Sequence, residues 1–255
     1  MNNIMYWFID FDGVICDSRD ECFTVSLAAY EDFKEPAGSG TVSLEKKERF
    51  DELRPFIRNN EDFLYLHYWL DGNVKPASQA EFDSCIGRFT EDETSKYTLL
   101  FYEHRNRLLS ADPDRWYALN PLYPGFREVL LKVQGNRRVH ILSSKRPDYI
   151  SLIFEKNGLH WPADRIHFPG KKPKLAYLQD LSKVLRERED GREVRLSFID
   201  DQKDHFTVLN DPGIDCFLAS WGYIQREWLA EENIKALTRE DFLAELLQFG
   251  KFHEP

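Results

Sequence analysis

Residues 6–14 read Tyr-Trp-Phe-Ile-Asp-Phe-Asp-Gly-Val, an apolar run that breaks into two carboxylates one residue apart and then a glycine. A short continuous hydrophobic stretch suits a strand buried on both faces. Polar residues at its C-terminal end emerge where open α/β sheets place their ligands. Period-two alternation sends Asp10 and Asp12 out on one side and Phe11 on the other, and Gly13 lets the chain turn sharply. Two acids held this close repel each other unless one is protonated or a cation sits between them. A hard divalent ion such as Mg2+, which prefers oxygen ligands, meets that need. Taken alone, the pair is better read as an acidic turn at a strand end, so the rest of the chain has to decide.

Downstream, residues 18–33 carry Cys22, Phe23, Leu27 and Tyr30 near one face of a helix, and residues 35–41 (EPAGSGT) read as a loop. From residue 44 to about 110 the pattern stays helical, with stripes such as Phe50, Leu53 and Ile57, then Tyr97, Leu100, Phe101 and Leu108. The character changes at the turn Asn120-Pro121-Leu122-Tyr123-Pro124-Gly125, which leads into a helix over 126–134. Strands are predicted over 138–142, 165–168, 194–199 and 216–219. Helices fall over 147–157, where Gly158 stops the helix, and from the lysines at 171–174 to about 187. Strands alternating with helices predict a Rossmann-like, doubly wound parallel sheet. Residues 1–17 and 120–255 would form this α/β core, with 18–119 an all-helical cap domain inserted after the first strand.

Composition narrows the function classes. With 255 residues, 42% hydrophobic and 14% aromatic, the chain is long and apolar enough for a real core. A net charge of -10 disfavours a general nucleic-acid or anionic-membrane binder but leaves room for a small phosphorylated substrate in a local positive pocket. Cys16, Cys22, Cys85 and Cys216 show neither CxxC spacing nor clustering and read as reduced thiols. No basic n-region or long apolar segment is evident near the N-terminus, so a cytoplasmic location is expected.

Four candidate sites lie at or just after predicted strand ends: Asp10/Asp12, Ser143, the lysines of 171–174, and Asp200/Asp201. Individually each has an ordinary explanation: a strand-end hydroxyl, a solvated helix start, an N-cap. Together, acid, hydroxyl, amine and acid in this order resemble the haloacid dehalogenase (HAD) superfamily, mostly phosphohydrolases. The first motif stands as Asp10-Phe11-Asp12-Gly13-Val14, the second as Ser143 in ILSSK, the lysine in GKKPK and the last acids in FIDD. Two further segments, LYPGFREVL and GIDCFLASWGY, resemble the stretch returning from the cap and the last strand with its turn.

The resemblance implies a Mg2+-dependent phosphohydrolase. Asp10 would be the nucleophile that forms an aspartyl-phosphate. Asp12 would act as general acid and then base, and Ser143 would bind a phosphoryl oxygen. Lys172 or Lys174 would neutralise charge. Lys172 heads a Lys-Pro pair and is slightly preferred; Lys174 has the better helix phase toward Leu178. Asp10, the Asp12 carbonyl and an acid from Asp200/Asp201 would hold the metal. Asp201 is favoured over Asp200 or Asp204, because His205 and Phe206 then fall where a polar residue and a core hydrophobe belong. Gly13, Ser144 and Lys145 are expected around the substrate, with Arg105 reaching it from the cap. Other cap candidates are Arg88, His104, Arg107 and the run His67-Tyr68-Trp69, although a helix face or the cap core accounts for each as well. The presence of Asp12 favours a phosphate ester, whose alkoxide leaving group needs a proton. A sugar-phosphate mutase with the same centre and a non-catalytic binding module of this fold are the alternatives.

Overall fold

The computed structural model describes residues 4–34, 44–205 and 213–252; the expected loop at 35–41 and Phe206 lie outside these. By internal contacts the chain divides into two compact units, residues 1–17 with 122–255 and residues 18–121.

The first unit is built on a six-stranded sheet. Its strands are β1 (Ile4–Ile9), β2 (Val139–Leu142), β3 (Ile166–His167), β4 (Val194–Asp200), β5 (Ile214–Ala219) and β6 (Ala236–Leu237). Every pairing is parallel and the order is β3-β2-β1-β4-β5-β6, which puts β1 at the centre between β2 and β4. The apolar run of β1 is buried on both faces, as its unbroken hydrophobicity requires. Ile4, Tyr6 and Phe8 join Leu196 and Phe198 of β4 and Leu175 and Leu178 of the helix Lys174–Arg188 in one core cluster. On the other face, Trp7 meets Phe217 at 5.7 Å and Phe242 at 5.3 Å between ring centroids.

The sequence places five of these strands within one or two residues of where they lie. It misses β6 and the helix Arg239–Phe252. No run of strand-forming residues marks Ala236 and Leu237, which pair only because β5 offers them its edge.

The second unit is all helix among its described residues: Arg19–Lys34, Leu44–Leu53, Asp62–Asp71, Gln79–Asp83, Glu91–Ala111 and Pro113–Ala118, with short 3-10 turns. The longest, Glu91–Ala111, starts in a capping box between Thr90 and Glu93. Stacked rings form its core: Phe50 on Phe63 at 5.9 Å and Phe63 on Phe101 at 5.5 Å. Among the described residues no helix is long and apolar enough to cross a membrane.

Candidate active site

Strand register brings the first acids together. Ile9 of β1 is level with Ile141 of β2 and Ile199 of β4, so Asp10 stands beside Leu142 and Asp200, one step before Ser143. Even-numbered residues of β1 and β4 share the face covered by the helix Lys174–Arg188. That parity sends Asp10, Asp200 and the first helical residue, Lys174, into one buried space. The ammonium of Lys174 stands 2.9 Å from Asp10 Oδ1 and 2.8 Å from Asp200 Oδ2. His205 Nδ1 lies 2.8 Å from the same Asp200 oxygen, and Asp200 Oδ1 accepts a 2.8 Å hydrogen bond from Gln202 N.

Asp201 points the other way and is gripped by the turn after β5. Its Oδ2 accepts from Tyr223 N at 2.8 Å. A Cβ on Gly13 would fall 2.0 Å from that oxygen, and one on Gly222 would lie 2.3 Å from Asp201 Cβ and 2.6 Å from Gly13 O. Gly13 also adopts φ +84°. Both positions therefore demand glycine, one for backbone conformation and close approach, the other for close approach alone.

Carboxylate oxygens of Asp10, Asp200 and Asp201 lie within 4.8 Å of one another, all three residues buried. Burial pushes the Asp10 carboxyl up to about 6; Lys174 opposes this and Asp200 adds to it. Burial also works against ionising Asp200, but His205 and Lys174 outweigh it and hold the group below the usual carboxylate range. Lys174 is in turn held above the ordinary lysine range, because Asp10 and Asp200 outweigh its burial. Lys174 thus pairs with two of the three buried carboxylates, Asp10 and Asp200. Asp10 Oδ1 is in ion-pair range of Lys174 but has no aligned hydrogen-bond donor among the described residues. A cluster of hard oxygen donors with excess negative charge and an unsatisfied carboxylate oxygen fits a small divalent cation such as Mg2+.

At the rim, Asp12 is half-buried and its Oδ1 accepts from Lys145 Nζ at 3.0 Å. Ser143 is buried, with its Oγ accepting from Lys145 N at 3.2 Å and its backbone N donating to His167 O. Ser144 follows, half-buried.

Two expected residues, Lys172 and Arg105, and the disfavoured alternative Asp204 fall elsewhere. Lys172, the lysine the sequence slightly prefers, lies in the turn before the helix, where its exposed ammonium pairs with Asp180. The helix opens only after Pro173, which gives Lys174 the inward direction. Asp204, on the short turn Lys203–His205, is not in the carboxylate cluster. Arg105 is buried inside the helical unit, with its Nε 2.6 Å from Glu21 Oε1 and its NH2 group 2.8 Å from Oε2. Of the other helical-unit candidates, His104 pairs with Asp32, Arg88 stacks over Tyr68, and His67 is fully buried beside Ser26.

Sequence reasoning names neither Gln202 nor Tyr223. Both act on the acids mainly through backbone N–H groups, which leave no mark on residue identity. The glycine pair is half legible: Gly13 follows the acids, while Gly222 sits in the quoted GIDCFLASWGY without a stated role.

No family model and no curated protein matches the sequence. Solved structures do. A haloacid dehalogenase-like family hydrolase from Streptococcus pneumoniae superposes with TM-score 0.56 at 14% identity, over 96% of this chain and 99% of that one. A predicted phosphatase from Clostridium acetobutylicum gives 0.58 at 16%, over 97% and 100%. A predicted phosphoglycolate phosphatase from Haemophilus somnus gives 0.58 at 17%, over 96% and 99%. The chain has the HAD-like fold. At such identities the likeness lies in the path of the backbone, and within the HAD-like fold this chain's own side chains carry the chemistry.

Proposed function

We propose that the protein is a Mg2+-dependent phosphohydrolase acting on a small phosphomonoester through an aspartyl-phosphate. The observation that carries this reading is the convergence of Asp10, Asp200, Asp201 and Lys174 at the carboxyl end of the central strands, with the Asp12–Lys145 pair beside them. Phosphoryl transfer asks chiefly for positioning and for neutralisation of an anionic group, and this constellation supplies both.

A carboxylate oxygen of Asp10 attacks phosphorus as the bond to the ester oxygen breaks. Asp12 gives its proton to the departing alkoxide, and Lys145, in contact with Asp12, positions it. Water then attacks the aspartyl-phosphate, Asp12 takes its proton, and the P–O bond to Asp10 breaks to release phosphate and restore the carboxylate. Ser143 and Lys174 bind phosphoryl oxygens and balance charge. Side chains of Asp10 and Asp201, with the Asp12 carbonyl, would hold Mg2+, while Asp200 anchors Lys174. The ion supplies charge neutralisation for the phosphoryl group.

The test is hydrolysis of an aryl phosphate, followed by a panel of phosphorylated small acids and sugars. The names of two structural neighbours put 2-phosphoglycolate in that panel. Wild type should turn over in Mg2+, and Asp10→Asn should lose ~10^3-fold or more in kcat. Wild-type turnover by Asp10→Asn would remove the nucleophile and the reading with it.

A further inference from the structure

The far edge of the same sheet holds a second, differently charged cavity. All strands run parallel, so the connections that lead into them gather at their N-terminal ends, opposite Asp10. Residues of three such connections, 134–138, 160–165 and 185–192, together with Tyr6 and His140, line a cavity of about 950 Å³. Tyr6, the one β1 residue in its lining, stands four residues before Asp10, roughly 13 Å along the strand at ~3.3 Å per residue.

Five arginines line this cavity, Arg137, Arg138, Arg165, Arg188 and Arg192, against two acids, Asp164 and Glu189. That sign is opposite to the chain's net charge of -10. Three of the charged groups, Arg165, Glu189 and Arg192, are already engaged by the fold. Arg165 is buried, donates to the carbonyls of Asn136 and Gln134 at 2.5 Å and lies 5.0 Å from the Trp161 ring, so it shapes the wall. Glu189 accepts from Tyr6 OH at 2.6 Å and from Arg192 at 2.7 Å. The guanidinium groups of Arg137 and Arg188 have no carboxylate partner among the described residues, although they face one cavity. Like charges collected around a concave space raise the local concentration of anions. The planar guanidinium fork matches a phosphate or carboxylate bidentately. The volume lies in the range of small-molecule sites and far exceeds one orthophosphate. Tyr6, His140 and Leu185 add flat and apolar wall.

We propose that this cavity binds an organic phosphate carrying more than one phosphate group, of the nucleoside diphosphate class, at a site separate from the hydrolytic centre. Arg137 and Arg188 grip the phosphates, and the Tyr6 side of the cavity receives the organic portion. The proposal is independent of the hydrolase reading.

Isothermal titration at low salt without divalent cations, using ADP and inorganic pyrophosphate as probes, tests it. ADP should bind wild type at one site, more tightly than pyrophosphate. The variant Arg137→Gln/Arg188→Gln should weaken ADP at least 10-fold, while Asp10→Asn binds it as wild type does. Both arginines are exposed, so the double variant should fold and keep wild-type aryl phosphate turnover where that activity is present. Unchanged ADP affinity in the double variant, loss of binding in Asp10→Asn, or no binding up to millimolar ADP would each overturn the site. Pyrophosphate binding as tightly as ADP would overturn the organic part of the assignment.

Discussion

Replacing Arg105 by Met separates two roles that its sequence position leaves equally open, a substrate contact and a structural tie. Both partners of the Glu21–Arg105 pair are shielded from water, with side-chain exposures of 0% and 2%. Two charge-assisted hydrogen bonds of 2.6 and 2.8 Å join them. Trp116 Nε1 donates to Glu21 Oε1 at 3.3 Å, and the guanidinium lies 4.6 Å from the Phe101 ring. Methionine fills much of the volume but strands a carboxylate in the core, and breaking a buried pair from one side costs about 3–5 kcal/mol. In a protein whose total stability is of the order of 5–15 kcal/mol, that is a large share. At roughly 2–4 °C per kcal/mol the thermal midpoint should fall by about 10 °C. Scanning calorimetry and urea unfolding measure the loss. The compensated variant Glu21→Gln/Arg105→Met should recover part of it, because no charge is left unpaired. Arg105→Met with a wild-type midpoint and a raised KM would refute the structural reading and return Arg105 to the substrate.

Three further perturbations bear on the site and on stability. Lys174→Ala should abolish phosphatase turnover, whereas Lys172→Ala should stay within about 2-fold of wild type, since an exposed ion pair contributes only about 0–1 kcal/mol; equal losses in a steady-state assay would refute the geometry. Gly13→Ala and Gly222→Ala should each cost ~10^2-fold or more in kcat while the far-UV circular dichroism stays native, because the added Cβ meets Asp201 or the backbone of Gly13 and misplaces a catalytic carboxylate. Burial lowers His67 and His140 to about 3 and His167 to about 4, from an ordinary 6.5. The unfolded chain therefore binds protons that the folded chain refuses, so this stability is complete above pH 6.5 and is lost as pH falls toward 4. Each histidine contributes at most about 1.4 kcal/mol per pH unit in that window. Denaturant titrations from pH 7 to 5 should show the decline, and His67→Asn should reduce its slope; a flat profile would contradict the buried neutral histidines.

What the sequence determined by itself follows from local periodicity and strand ends. The unbroken apolar run Tyr6–Ile9 could satisfy its backbone and side chains only inside a sheet covered on both faces. Its exit into Asp10, Asp12 and Gly13 placed acids where such sheets open to ligands. Alternating strand and helix patterns then implied parallel pairing, and the long helical stretch between the first and second strands marked a separate unit. Tertiary structure alone decided which lysine and which surroundings each acid has. Two lysines two residues apart are equivalent in composition, but only Lys174 begins the helix that lies over the even-numbered face of β1 and β4. Arg105 looks like a surface cation until Glu21, 84 residues away, is folded against it. The arginines of the basal cavity come from three separate connections that meet only because parallel strands bring their entrances together. Long-range partners of this kind are set by strand order and register, and neither is written in any single stretch of the chain.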